Sequence, residues 1–215
     1  MLQPWAMAAG TTQVRRRLSP ETRKALILDH TAEIVAREGV AQLSVERIGK
    51  EAGISKSLVY AYFPNLTELL RELYQREMKQ IRRLQAAAAE SAKTFEDLVR
   101  SITHVYLTYM DQRGLLIERL QAEPSVSEAH DPTEFSRDRA VDYLAEIIVR
   151  HFDLPPDVAR AATDISFGLP ASAGAYLHRK PIDLALLEDI TVAMILGSIS
   201  NLKNEFMLRK KQLDR

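Results

Sequence analysis

The chain has 215 residues, 46% of them apolar and 27% charged, with 29 Lys or Arg against 29 Asp or Glu and no cysteine. That length and apolar share support one large or two small domains with a buried core. The lack of cysteine excludes disulfides and thiolate chemistry and is compatible with a cytoplasmic setting, and the sequence has no uninterrupted run of 18 apolar residues to propose as a membrane span.

The opening MLQPWAMAAG lacks the basic leader and apolar centre of a signal peptide, so residues 1–18 are expected to form a flexible tail. Charge is unevenly spread. Residues 1–83 carry 14 Lys or Arg against 9 Asp or Glu, whereas residues 84–215 carry 15 against 20. A basic head and an acidic remainder suit a protein whose N-terminal part meets phosphates, because local charge governs such contacts. The triplet Arg15-Arg16-Arg17 is either a solvated charge run or an arm that reaches DNA.

No sustained period-2 alternation is present, so helices are expected throughout. The first should begin at Ser19-Pro20-Glu21, with a serine cap, a proline at the first position and an acid favoured by the dipole, and stop at Gly39. The twenty residues 44–63, SVERIGKEAGISKSLVYAYF, then read as two short helices joined by a tight turn. Ile48 and Ala52 form an apolar seam, and Gly49 leaves room for a crossing helix. Gly53 accepts the positive φ of the turn, Ile54 plugs the gap, and Ser55 caps the second helix. Val59, Tyr62 and Phe63 face inward, which leaves Lys56, Ser57, Tyr60 and Ala61 on the open face. An ordinary helical hairpin could carry any one of these features. Together they have the spacing of a helix-turn-helix DNA reader.

A fourth helix is expected over 67–90, about 35 Å long at ~1.5 Å per residue, long enough to connect a head to a body. A fifth, over 94–112, places Phe95, Leu98, Val99, Ile102, Val105, Tyr106 and Tyr109 on one arc and His104 on the solvent side. Tyr106 and Tyr109 either pack in a core or line a ligand cavity. A short sixth helix over 114–122 precedes the looser EPSVSEAHDPT, and a seventh spans 134–152. Ile165 to Leu177 and Ile190 to Leu202 are each thirteen residues without a charge. They are either core or the two helices that each subunit of a dimer adds to a shared four-helix bundle. Pro170 should kink the first of them.

Catalytic motifs are absent. The five histidines are scattered without an HExxH pattern, and there is no GxSxG, GxxxxGK or GxGxxG. Ser200 and Lys203 fit S-x-x-K without its partner motifs. No enzyme activity, metal or cofactor is expected.

Residues 19–70 resemble the DNA-binding domain of the TetR family of bacterial transcription repressors. The resemblance rests on ALILDHTAEIVAREGV (25–40), LSVERIGKEAGISKSLVYAYF (43–63) and PNLTELL (64–70) in that order and at those separations. Leu66 stands where the family usually has a lysine that touches phosphate. The resemblance implies an all-α protein of about nine helices: a helix-turn-helix domain at 19–66, then a long fourth helix leading into a ligand-binding and dimerisation body at 67–215. It implies a homodimer, joined through the last two helices, that reads a palindromic operator in double-stranded DNA and is released by a small molecule. Lys56 and Ser57 would meet base edges or nearby phosphates. Tyr60 would bond a phosphate, Ser44 and Arg47 on the second helix would make similar positioning contacts to the DNA, Ser55 would open the recognition helix, and Leu58 and Ala61, if exposed, would pack on thymine methyls. Tyr106, Tyr109, Tyr143 and Phe167 are the candidates for a largely apolar or aromatic ligand. A helix-turn-helix binder without inducer, or a helical binding module or enzyme that no longer reads DNA, remain the alternatives.

Overall fold

The computed structural model describes residues 19–127 and 132–213. The expected tail, the Arg15–Arg17 triplet and part of the looser segment lie outside the described residues. Within them the fold is all-α, with nine helices of at least seven residues, a single-turn helix, one 3-10 turn and no strand.

The head comprises α1 (Pro20–Glu38), α2 (Val45–Glu51) and α3 (Lys56–Tyr62). Each helix is started by a side chain that accepts an orphan backbone N–H. Ser19 accepts from Thr22, Ser44 from Arg47 and Ser55 from Leu58. Gly39 closes α1 at φ 87°, and Gly53 makes the α2–α3 turn at φ 66°, both in the region that glycine enters without steric cost. Gly49 is required for a different reason. A Cβ there would lie 2.9 Å from the Ile54 carbonyl oxygen, so only glycine lets the turn fold back onto α2. Ile27, Ile34, Val35, Ile48, Val59 and Phe63 fill the core of the head.

The head's core does not end at residue 66. Leu69, Leu70 and Leu73 from α4 (Leu66–Ser91) belong to it, and so do Leu116 and Leu120 from α5 (Phe95–Gln121) and Val126 from the single turn α6 (Pro124–Ser127). Leu66 packs half-buried against the same cluster. The body continues with α7 (Pro132–Phe152), α8 (Pro156–Ser166), α9 (Gly168–Leu177) and α10 (Leu184–Leu213). Helix α5 is central, packing against α1, α4, α9 and α10. Its N-terminal half shares a second core with α7, α8 and α10 through Phe95, Leu98, Ile148, Ala159, Ile195 and Ile199.

Three expectations about helices are corrected. The fifth and sixth helices are one, because Gly114 stays helical: it costs about 1 kcal/mol against alanine, but a Cβ would meet the His178 ring at Nε2. Its bareness admits His178, whose Nε2 lies 3.0 Å from the Met110 carbonyl oxygen. The penultimate uncharged run is two helices that break at Phe167. Pro170 sits in the first turn of α9, where no helical hydrogen bond awaits its missing N–H, so it starts a helix and kinks none. Lastly, α10 extends well beyond 190–202 at both ends.

The stretch Leu184–Glu205 of α10 is long and apolar enough by length and composition to cross a membrane. Two acids, Glu188 and Asp189, interrupt its apolar run. Those acids engage α5, with Glu188 2.7 Å from His104 and Asp189 2.7 Å from Arg100. Leu187, Val192, Ile195 and Ile199 are buried. The other side leaves Leu186, Ile190 and Met194 exposed at i, i+4 spacing.

Candidate nucleic-acid interface and ligand cavity

Helix α3 buries Val59 and leaves Lys56, Ser57, Tyr60 and Ala61 exposed. Tyr60 as a whole residue is 46% exposed, which is unusual for a large aromatic that a core could have absorbed. Lys56 Nζ lies 2.9 Å from a carboxylate oxygen of Glu46, and both side chains are largely in water. An exposed pair of this kind is worth about 0–1 kcal/mol, so Lys56 can exchange Glu46 for a phosphate at little cost. Ser57 and Ser55 share a hydroxyl contact of 3.0 Å. Ser44 and Ser55 spend their side-chain oxygens as caps, and each fixes the start of a helix at this face.

Arg47 is placed differently from the other candidates. Its guanidinium donates to both carboxylate oxygens of Glu38 at 2.6 Å and to Glu51 at 3.1 Å. The hydrogen bonds from Arg47 and Arg37 hold the Glu38 carboxyl far below the usual range. Arg47 therefore clamps α2 to the end of α1, and sets the angle at which α2 and α3 leave the head.

In the body, one apolar cavity of about 410 Å³ opens between α5, α7, α8, α9 and α10. Phe95, Leu98, Val99, Ile102, Tyr106, Leu144 and Ile148 form much of its wall, and Phe167, Pro170 and Ala171 line the side where α8 meets α9. The volume is that of a small-molecule site. Of the four candidate ligand residues, Tyr106 and Phe167 line this cavity. Burial raises the Tyr106 phenol, so it faces the cavity as a neutral hydroxyl. Tyr143 is exposed at the surface. Tyr109 turns instead toward α4, where its hydroxyl donates to Glu77 at 2.8 Å.

Glu77 is a feature that the helical reading passed over. It is 3% exposed and accepts from Tyr109, from Arg113 at 2.9 and 3.0 Å, and from Arg76 at 3.3 Å. Burial alone would raise its carboxyl, but the bonds from Arg113 and Tyr109 and the charges of Arg113 and Arg76 outweigh that and hold it below the ordinary value. The network ties α4 to α5 midway between cavity and head. Arg119 makes the next link. Its Nη1 donates to the carbonyl oxygens of Val35 at 2.7 Å and Ala36 at 2.9 Å, capping the C-terminal end of α1 with a cation. Helix α5 thus lines the cavity with its first half and grips the head with its last two turns.

The head matches the family model "Bacterial regulatory proteins, tetR family" over residues 27–73. The fatty acid metabolism regulator protein of Bacillus subtilis is 31% identical over 101 residues, covering 46% of this chain and 52% of that relative. The chain spans about half the length of that relative. Among solved structures, one from Pseudomonas aeruginosa PAO1 superposes with a TM-score of 0.75 at 20% identity over 90% of this chain and 98% of its own. The fatty acid degradation regulator FadR of Bacillus halodurans does so with a TM-score of 0.65 at 18% identity, over 84% and 97%. At such identities the structural likeness is one of fold.

Proposed function

We propose that this chain, which carries the DNA-binding head and the fold of the TetR family of bacterial regulatory proteins, is a transcription regulator that binds a palindromic operator as a homodimer and is released by a small, largely apolar molecule held in the cavity. The observation that carries this reading is the double attachment of α5. One helix lines the cavity through Leu98, Ile102 and Tyr106 and holds the head through Leu116, Arg119 and Leu120.

Lys56 and Ser57 reach base edges or adjacent phosphates, Tyr60 donates to a phosphate, and Ala61 packs on thymine methyls. Ser44 and Arg47 position α2, and Ser55 positions α3. The dimer forms through α9 and α10, whose exposed Tyr176, Leu186, Ile190 and Met194 lack cover within one copy and would find it on a second. A ligand acts only if it prefers the conformation whose two heads miss successive major grooves, since equal affinity for both states moves nothing. The fatty-acid name of the Bacillus subtilis relative and the apolar cavity wall both favour a ligand with an acyl or comparable hydrocarbon body.

Selection from a random duplex library tests the proposal. The recovered sequences should be inverted repeats whose half-sites lie about 34 Å apart, one helical turn of DNA. Recovery of no common sequence would refute it.

A further inference from the structure

The cavity wall is mostly apolar, with neutral polar groups from Gln85, Thr103 and Tyr106, and the charge at its rim is positive. Among the described residues lining it, Arg137 on α7 is the one charged side chain. Its guanidinium stands 5.8 Å from the centre of the Phe167 ring. Its Nη2 lies 2.8 Å from a carboxylate oxygen of Asp164 and 3.2 Å from the Asp164 carbonyl oxygen on α8. Both side chains are about half exposed, at 54% and 49%. The neighbouring acids on α7, Asp138 and Asp142, are engaged by Arg160, so they do not claim Arg137. Ser166 and Thr163 stand on the α8 side of the same lining.

We propose that the ligand of this cavity is an anionic amphiphile, a hydrocarbon body ending in a single carboxylate, whose head takes the place of Asp164 on Arg137. This deepens the reading of the cavity as the regulatory site and rests on it. The physical grounds are a matched pair. An apolar chamber selects the body of the ligand by area buried, about fourfold in affinity per methylene. A lone guanidinium at the rim selects the head, because arginine meets a carboxylate through two parallel N–H donors. The contact that must be given up is a solvated ion pair, which is weak. Arg137 is thereby the specificity-determining residue, and its exchange of partners loosens the tie between α7 and α8 at the cavity rim.

Displacement of the neutral dye N-phenyl-1-naphthylamine from the full chain, using decanoate and decyltrimethylammonium below their micelle concentrations and decanol below its solubility limit, tests the assignment. Decanoate should displace the dye at about tenfold lower concentration than decanol, with the cation weakest. Arg137→Gln should remove the preference for decanoate while leaving decanol unchanged. Asp164→Asn should strengthen decanoate a few-fold, because it removes the competing anion and leaves the cavity intact. Equal displacement by decanoate and decanol, or a preference that survives in Arg137→Gln, overturns the headgroup assignment and leaves the cavity reading standing. Failure of the dye itself to bind overturns both.

Discussion

Removing Glu77 or Arg113 alone should be far more damaging than removing both. Glu77 is buried on the α4 side and receives four hydrogen bonds from Tyr109, Arg113 and Arg76. In Arg113→Met the carboxylate keeps only Tyr109 and Arg76, and breaking one side of a buried pair costs about 3–5 kcal/mol. In Glu77→Leu the orphaned charge belongs to Arg113, whose side chain is 34% exposed and can turn to water, so about 2–3 kcal/mol is expected. The double variant leaves no buried charge and should return to within about 1 kcal/mol of the parent. In a chain of this size 1 kcal/mol moves Tm by about 2–4 °C, so Arg113→Met should melt about 6–20 °C lower. Urea unfolding of the four proteins at one protein concentration gives the cycle. The carboxyl is held below its ordinary value in the fold, so its contribution is present above the unfolded pKa of about 4.3 and is lost as pH falls through the folded one. The gap between parent and Glu77→Leu should therefore shrink below about pH 4. Single variants that cost under about 0.5 kcal/mol, or costs that simply add in the double variant, would refute the reasoning.

Arg119→Ala removes two charge-assisted bonds from the end of α1 and should cost about 1.5–3 kcal/mol, with faster hydrogen exchange in α1 than in α7 as the local signature. Gly114→Ala displaces the exposed His178 ring, an overpacking cost of about 1–3 kcal/mol offset by about 1 kcal/mol of helix propensity, so a net loss of about 0–2 kcal/mol is expected. Gly114→Ala combined with His178→Ala should recover most of that loss, read by the same melts. Ile190→Glu with Met194→Glu places charge on the exposed stripe of α10 and should convert a dimer into a monomer in sedimentation, with the helical content unchanged.

The head was legible because its signals are local. Caps at Ser19 and Ser55, the positive-φ Gly53 and the i, i+4 seam are all fixed by neighbours within a few residues, whereas the cap by Ser44 emerged only in the fold. The body was less so. Gly114 reads as a stop until the His178 ring that needs its bareness is brought from 64 positions away. Tyr106 and Tyr109 share an arc of α5, yet three residues of helix turn one toward the cavity and the other toward Glu77. That separation depends on where α4 and α7 pack. A signal for Glu77 did exist, since it continues the buried line of Leu70, Leu73 and Ile81 on α4. An acid on an apolar stripe implies a buried partner. Arg137 and Arg119 offered no such cue, because their roles depend on carbonyls and rings supplied by distant elements.

DNA reading by α3 is tested by binding of a selected duplex to the parent and to Lys56→Ala/Tyr60→Phe across a salt series. The parent should bind tightly and selectively, with affinity falling steeply as salt rises. The variant should bind at least tenfold more weakly with a shallower salt dependence, having lost phosphate or base contacts on each protomer. Equal affinity and equal salt slope in the two proteins would contradict the account.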